Sequence, residues 1–237
     1  MPATEFAPGL EIQRFTPPLK LADFKLIAFD MDSTLINIEC VDEIADAVGK
    51  KEEVAAITEA AMRGEIADYK ESLRRRVALL QGVTVADMEM IYTQRLQLNP
   101  GAEHLVQACK AAGLKTLLVS GGFTFFSDRV RDRLGIDFTR SNVLEIAAGA
   151  LTGRMVDQPW GDICDGVEKR KTLLETCTAI GVDPRNTIAI GDGANDMPMM
   201  AAAGLSVAYH AKPKVRAAAT VAIDRGGLDR LLEVVRP

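Results

Sequence analysis

Lys25-Leu-Ile-Ala-Phe29 runs directly into Asp30-Met-Asp32-Ser-Thr34. The first segment is apolar on both faces of an extended chain, the pattern of a strand buried in a parallel sheet. The second sets two carboxylates two residues apart where that strand ends. In an open parallel sheet ligands bind beyond the carboxyl ends of the strands, near the point where the winding reverses. The stretch therefore reads both as the first strand of an α/β core and as one wall of a site.

Two other apolar runs have the same form, Lys115-Thr-Leu-Leu-Val-Ser120 and Thr187-Ile-Ala-Ile-Gly191, with shorter candidates at 205–208 and 220–223. Helical patterns lie between them, such as 101–112 before Gly113 and 168–180 before Gly181, with Gly as the stop. This alternation predicts a doubly wound, Rossmann-like α/β core with a mainly parallel sheet. Residues 39–98 break the rhythm, because VDEIADAV, KEEVAAITEAAM, YKESLRRRVALL and VADMEMIYTQRL follow one another as helical segments without a strand. They predict a small helical domain at 38–98, inserted after the first strand and leaving 1–37 with 99–237 as the core. Residues 142–156 read as a hairpin with turn signals at Gly149-Ala150 and Thr152-Gly153. The Pro-rich residues 1–24 read as an irregular lead-in laid on the core.

The chain of 237 residues can bury one sizeable core with a smaller companion, and 48% hydrophobic with 26% charged residues is ordinary for a globular protein. A net charge of -5 offers no general affinity for nucleic acid or an anionic membrane. Cys40, Cys109, Cys164 and Cys177 form no CxxC pair and no metal-type spacing, so neither a disulfide framework nor a zinc site is expected. The N-terminus lacks a basic region followed by an apolar one, and no apolar run approaches the ~18 residues of a membrane span. A cytoplasmic location is the expectation.

Three strand ends carry polar clusters that should meet on one sheet edge: Asp30 to Thr34, Ser120-Gly-Gly122, and Gly191-Asp-Gly-Ala-Asn-Asp196. Alone, two spaced aspartates are most simply a solvated strand end. A calcium loop is excluded, since its sixth position is Leu35 rather than Gly and its twelfth Val41 rather than Glu. Asp192 and Asp196 alter the weighing, because carboxylates gathered on one edge repel unless a cation sits among them. Hard oxygen ligands of this kind suit Mg²⁺. GDGAND is no dinucleotide fingerprint, since Asp196 stands where the third Gly belongs. The N–H groups of the Ser-Gly-Gly turn could face an anion, and Lys169 or Lys171 could neutralise phosphate charge.

Taken in order, Asp30, Asp32 and Thr34, then Ser120, then Lys169, then Gly191, Asp192, Asn195 and Asp196 match four motifs, and over residues 25–225 the chain resembles the haloacid dehalogenase superfamily. The longer strings FDMDSTLINIE, EAAMRGE, SLRRRVALL, VSGGF and GDGANDM are similar to the branch that dephosphorylates phosphoserine. The resemblance implies a catalytic core with 38–98 as a helical cap, and Mg²⁺-dependent hydrolysis of O-phosphoserine to serine and phosphate, the last step of serine biosynthesis. It implies Asp30 as the nucleophile that forms an aspartyl-phosphate, Asp32 as general acid and then base, and Lys169 as a stabiliser of phosphoryl charge. The implied metal shell is Asp30, the backbone carbonyl of Asp32, and Asp192, with Thr34 and Asp196 in support. Glu39 would meet the substrate ammonium and Arg76 its carboxylate. Met62, Ser120, Gly121, Gly122 and Asn195 would complete the substrate site. The implied partner is a small phosphorylated amino acid, with no nucleic acid and no membrane, and monomer or homodimer is left open.

From the residues alone Glu39 is equally a first-turn helix charge. Arg74, Arg75 and Arg76 point about 100° apart, so they cannot share a face, and the residues do not choose among them. Between Gly64 and Ser72 the chain carries one residue more than its relatives, which leaves the placement of Tyr69 open. A rival chemistry is the C-x5-R spacing of Cys164 to Arg170; Asp165 and Glu168 inside that loop are unfavourable to a thiolate holding phosphate. His104 and His210 lie in no phosphohistidine context. A binding protein without catalysis is disfavoured by the retained acids and lysine. A phosphatase or phosphotransferase acting on another small metabolite, such as phosphohomoserine or phosphothreonine, would use the same residues and stays open.

Overall fold

A computed structural model describes residues 3–63, 65–66 and 68–237, apart from the side chain of Met62. The chain begins with strands β1 (Thr4–Ala7), β2 (Leu10–Ile12), β3 (Leu19–Lys20) and β4 (Leu26–Phe29). Four helices follow without a strand: α1 (Cys40–Ala47), α2 (Lys51–Met62), α3 (Tyr69–Ala78) and α4 (Val85–Gln94). The core resumes with α5 (Ala102–Ala111), β5 (Lys115–Phe123), α6 (Thr124–Leu134), β6 (Phe138–Ala147) and β7 (Ala150–Val156). It closes with α7 (Gly166–Ile180), β8 (Thr187–Gly191), α8 (Met197–Ala202), β9 (Leu205–Tyr209), α9 (Pro213–Ala218), β10 (Val221–Ile223) and β11 (Val235–Arg236).

One large sheet has the order β1-β2-β10-β9-β8-β4-β5-β6-β7, and its strands from β10 to β6 are parallel. The short β3 and β11 pair separately. All four residues of β4 are fully buried between β8 and β5, which is why that run is apolar on both faces. Side chains alternate between two packed layers as the pleat requires. Ile27 and Phe29 join Leu105, Val106, Phe126 and Val130 on one face, whereas Leu26 and Ala28 join Leu173, Cys177 and Met199 on the other. From β4 the chain winds to β5 and β6 on one side and later to β8, β9 and β10 on the other. The carboxyl ends of β4, β5 and β8 therefore lie side by side at the reversal of winding.

Two expectations are corrected. The N-terminal segment is a sheet edge rather than an irregular lead-in: β2 pairs antiparallel with β10 and with β1, burying Leu10 and Ile12. The hairpin lies where the sequence puts it, β6 and β7 pairing antiparallel from Val143 and Val156 inward, while β6 itself starts earlier, at Phe138, with residues that pair parallel to β5; what changes is the turn. Its turn is at Ala148-Gly149, both with positive φ, while Thr152-Gly153 lies inside β7. Gly153, at φ +82°, lets β7 pass close to the Ala78 carbonyl at the end of α3.

The helical insertion is stitched to that hairpin. Gly82 and Val85 donate to the carbonyls of Leu151 and Gly149, and Leu151 donates back to Val83. Where the insertion rejoins the core, the Asn99 amide donates to the carbonyls of Thr34 at 2.8 Å and Ile36 at 3.0 Å, bracing the loop that follows β4. Among the described residues no helix is long and apolar enough to cross a membrane.

Candidate active site

Asp30 prolongs β4, its N–H donating to the Ile190 carbonyl at 3.0 Å, so its carboxyl leaves the sheet beside the end of β8. The chain then turns sharply, with Ser33 in the left-handed region at φ +57°. That turn directs Asp30 and Asp32 toward one side of the same edge. Asp30 is 5% exposed.

Lys169, near the start of α7, is completely buried. Its ammonium lies 2.7 Å from Asp30 Oδ1 and 2.6 Å from Asp196 Oδ1. Asp196 is otherwise occupied, since Oδ2 accepts the Gly193 N–H at 3.0 Å. Asp192 adds a further carboxylate, and Thr34 Oγ1 donates to its Oδ1 at 3.4 Å. Carboxylate oxygens of Asp30, Asp192 and Asp196 all lie within 4.8 Å of one another. Of the two lysines considered at this helix start, Lys171 turns away to the Trp160 carbonyl.

Burial pushes the Asp30 carboxyl well up, and the charges of Asp196 and Asp192 add to that against the pull of Lys169. Burial likewise raises Asp192 to about 6, with Asp196 contributing. Burial alone would lower the Lys169 ammonium; the carboxylates of Asp196 and Asp30 outweigh it and hold it well above its usual value. One ammonium thus faces three crowded carboxylates, and this oxygen-only donor set fits a hard divalent cation such as Mg²⁺. Asp196 spends both oxygens on Lys169 and Gly193, which leaves Asp30 and Asp192 as the carboxylates free to serve such an ion.

The Asp32 side chain stays outside this cluster. Its Oδ2 accepts the Cys40 N–H at 3.2 Å and its Oδ1 the Cys40 thiol at 3.1 Å. Burial and then the charge of Glu39 raise Asp32 to about 7. Burial and Asp32 keep the Cys40 thiol well above its usual range, so it retains its proton.

The third wall is the end of β5. Ser120 Oγ accepts the Gly122 N–H at 2.9 Å. A Cβ on Gly122 would stand 3.2 Å from Asp32 Oδ2 and 3.0 Å from Met31 Cε, and one on Gly121 would run into the Tyr69 hydroxyl. The absence of a side chain at both positions lets these groups approach the backbone closely. The buried Asn142 donates to the Gly121 carbonyl and accepts the Cys164 N–H, each at 2.8 Å, joining two loops of the site.

These groups floor a cavity of about 600 Å³ whose roof is the helical insertion. Glu39, Tyr69 and Arg76 line it from above, and Asp30, Ser120, Gly121, Gly122, Asp192 and Asn195 from below. The three arginines separate as their spacing requires. Arg74 pairs with Asp162 at 2.5 Å, Arg75 with Glu71 at 2.7 Å, and Arg76 faces the cavity. Arg76 Nε is buried with no hydrogen-bond partner among the described residues. Glu39 Oε1 accepts from Ser33 Oγ at 2.6 Å. Tyr69, whose place the sequence left open, faces the cavity, whereas Met62, expected there, has its side chain outside the described residues. Lys212 also lines the cavity and carried no motif. Neither Cys40 nor Asn142 stood out in the sequence, since no spacing signals a contact across elements. Cys164 is fully buried and its thiol is pushed by burial up to about 12, which opposes the cysteine-phosphatase alternative.

A family model described as haloacid dehalogenase-like hydrolase matches residues 24–204. A phosphoserine phosphatase of Polaromonas sp. is 75% identical over 236 residues, all of both chains, and one of Albidiferax ferrireducens is 74% identical over 237 residues, again all of both. Among solved structures, a phospho-aspartyl intermediate analogue of phosphoserine phosphatase superposes with a TM-score of 0.82 at 36% identity, covering 90% of this chain and 99% of that one.

Proposed function

The chain belongs to the haloacid dehalogenase-like hydrolases, and from that premise we propose that it hydrolyses O-phosphoserine through a covalent phosphate on Asp30. It is an enzyme of the phosphoric monoester hydrolase class, like its phosphoserine phosphatase relatives. The observation that carries the mechanism is the buried Asp30–Lys169 contact of 2.7 Å on the floor of a cavity whose roof holds the acids Glu39 and Asp42 and the cation Arg76. Residues 38–98 are the cap in this reading, over a core of 1–37 and 99–237.

Asp30 attacks phosphorus as the bond to the serine oxygen breaks, and Asp32 gives that oxygen its proton. Asp32 then takes a proton from the water that attacks the aspartyl-phosphate, which releases phosphate and restores Asp30. Two steps through a covalent intermediate replace one difficult hydrolysis. An acid raised to about 7 suits both roles, because a proton donor and acceptor works best near the operating pH. Lys169, the Ser120 hydroxyl and the Gly121 N–H receive the phosphoryl oxygens, with the Gly122 N–H holding Ser120 Oγ and Asn195 at the rim. Asp30, Asp192 and the Asp32 carbonyl would hold a Mg²⁺, which when bound would supply further charge neutralisation. Thr34 and Asp196 orient Asp192 and Lys169.

Arg76 takes the substrate carboxylate, which accounts for a guanidinium nitrogen buried without a partner among the described residues. Glu39 exchanges its Ser33 bond for the substrate ammonium. A cytoplasmic location accords with a small polar substrate. The test is phosphate release from O-phosphoserine with Mg²⁺, together with trapping of the phosphorylated chain and mapping of the modified peptide. Label on the peptide that contains Asp30, absent in Asp30→Asn, is the expected result; label elsewhere would sink the assignment.

A further inference from the structure

Cys40 opens α1 one residue after Glu39, and both of its donors reach Asp32: the main-chain N–H to Oδ2 at 3.2 Å and the thiol to Oδ1 at 3.1 Å. Beside this pair Ser33 Oγ donates to Glu39 Oε1 at 2.6 Å. Two neighbouring residues of the loop after β4 are thereby joined to two neighbouring residues at the start of the helical insertion. On its other side Asp32 faces Gly122, which has no side chain to hold it.

We propose that Cys40 is a positioning residue for Asp32, its S–H and N–H fixing the carboxylate toward the leaving oxygen and tying that orientation to the first turn of the cap. The proposal rests on the reading of Asp32 as acid and base in phosphoserine hydrolysis. The last torsion of a carboxylate is broad and roughly two-fold, so an unheld Asp32 samples many orientations. Donors on both oxygens remove that freedom. The thiol is the weaker donor, and its part is to fix the oxygen that the N–H does not reach. Proton transfer is sensitive to such placement, because a donor must stand within hydrogen-bond reach of the atom it protonates. Since Glu39 and Cys40 are consecutive, the group that senses the substrate ammonium and the group that aims the acid share one helix end.

Cys40→Ala keeps the N–H and removes the S–H, and Cys40→Ser restores a side-chain donor. With O-phosphoserine and Mg²⁺, Cys40→Ala should lower kcat about tenfold with KM within about twofold, and Cys40→Ser should recover most of the loss. Cys40→Val and Cys40→Thr, nearly isosteric and respectively without and with a side-chain donor, repeat the comparison should the alanine variant not fold. Single turnover of p-nitrophenyl phosphate distinguishes positioning from general damage. Nitrophenolate leaves without a proton, so its burst rate should stay within about twofold of the parent, while hydrolysis of the covalent phosphate slows about tenfold. Equal losses in donor and non-donor variants, a change in KM alone, or a burst slowed as much as phosphoserine turnover would overturn the proposal. A parent enzyme inert toward phosphoserine would defeat the functional reading itself, whereas an active parent with an unimpaired Cys40→Ala defeats only this inference.

Discussion

Lys169 places its ammonium 2.7 Å from the Asp30 carboxylate, with the lysine side chain fully buried and that of the aspartate 8% exposed. The pair is costly to desolvate, and it is kept where a stable fold alone would favour apolar packing. The same ammonium lies 2.6 Å from Asp196, also fully buried, so Lys169 serves both carboxylates. Lys169→Met should therefore damage the enzyme twice. Turnover should fall by roughly 10²–10³, the range for loss of a preorganised charge stabiliser. Stability in urea should fall by about 3–5 kcal/mol, since two buried carboxylates lose their counter-charge.

Arg76→Ala should lower kcat/KM for phosphoserine by roughly 30- to 1,000-fold, corresponding to the ~2–4 kcal/mol of a lost buried charge-pair contact. A small phosphate ester without a carboxylate should lose far less. Arg76→Lys should rescue poorly, because an ammonium cannot grip a carboxylate through two parallel bonds. Equal losses on both substrates would remove Arg76 from the recognition site.

Chelation of divalent cations should stop phosphate release, and added Mg²⁺ should restore it. Binding to the folded state alone also stabilises, by about 2.7 kcal/mol at a concentration 100 times the dissociation constant. Mg²⁺ should thus raise the melting temperature of the parent and raise it much less in Asp192→Asn. The melting curve gives a readout independent of turnover.

Away from the site, Asp137 accepts from Lys115 Nζ, from the Thr116 N–H and from Thr116 Oγ1. Burial works to raise its carboxyl, but these donors prevail and hold it below the ordinary 3.8. A carboxyl depressed in the folded state contributes stability above its unfolded value and loses it as pH falls through the folded one. Asp137→Ala should cost about 1.5–3 kcal/mol at neutral pH, the worth of hydrogen bonds to a charged acceptor. Denaturation series from pH 7 downward should show the gap constant to about pH 4 and narrowing below it.

Much of the architecture was legible because it follows from local periodicity. The apolar β4, the largely apolar β5 and β8 runs, the Gly stops after α5 and α7, and four successive helices with no strand between them each report a burial pattern within one element. Residues 1–24 misled because short β1 and β2 carry little alternation and gain their pairing from β10, more than two hundred residues away. The hairpin was legible from its own alternation, but the start of β6 at Phe138 was not, since those residues are held by β5 rather than by β7. At the site, the meeting of Asp30, Asp32 and Asp192 at one cavity was legible because strand ends in a doubly wound sheet converge wherever they fall in the sequence, whereas Lys169, on a helix, was singled out by the family resemblance.

What the sequence by itself determined is the set of chemical groups and the sheet edge that collects them, since both follow from residue identity and strand pattern. Only the tertiary structure decided which arginine faces the cavity, that Asp196 is consumed by Lys169 and Gly193, and that Asp32 is held by Cys40. Those choices depend on helix rotation and on contacts between distant elements, settled by packing the cap and hairpin against the core. No spacing along the chain encodes them.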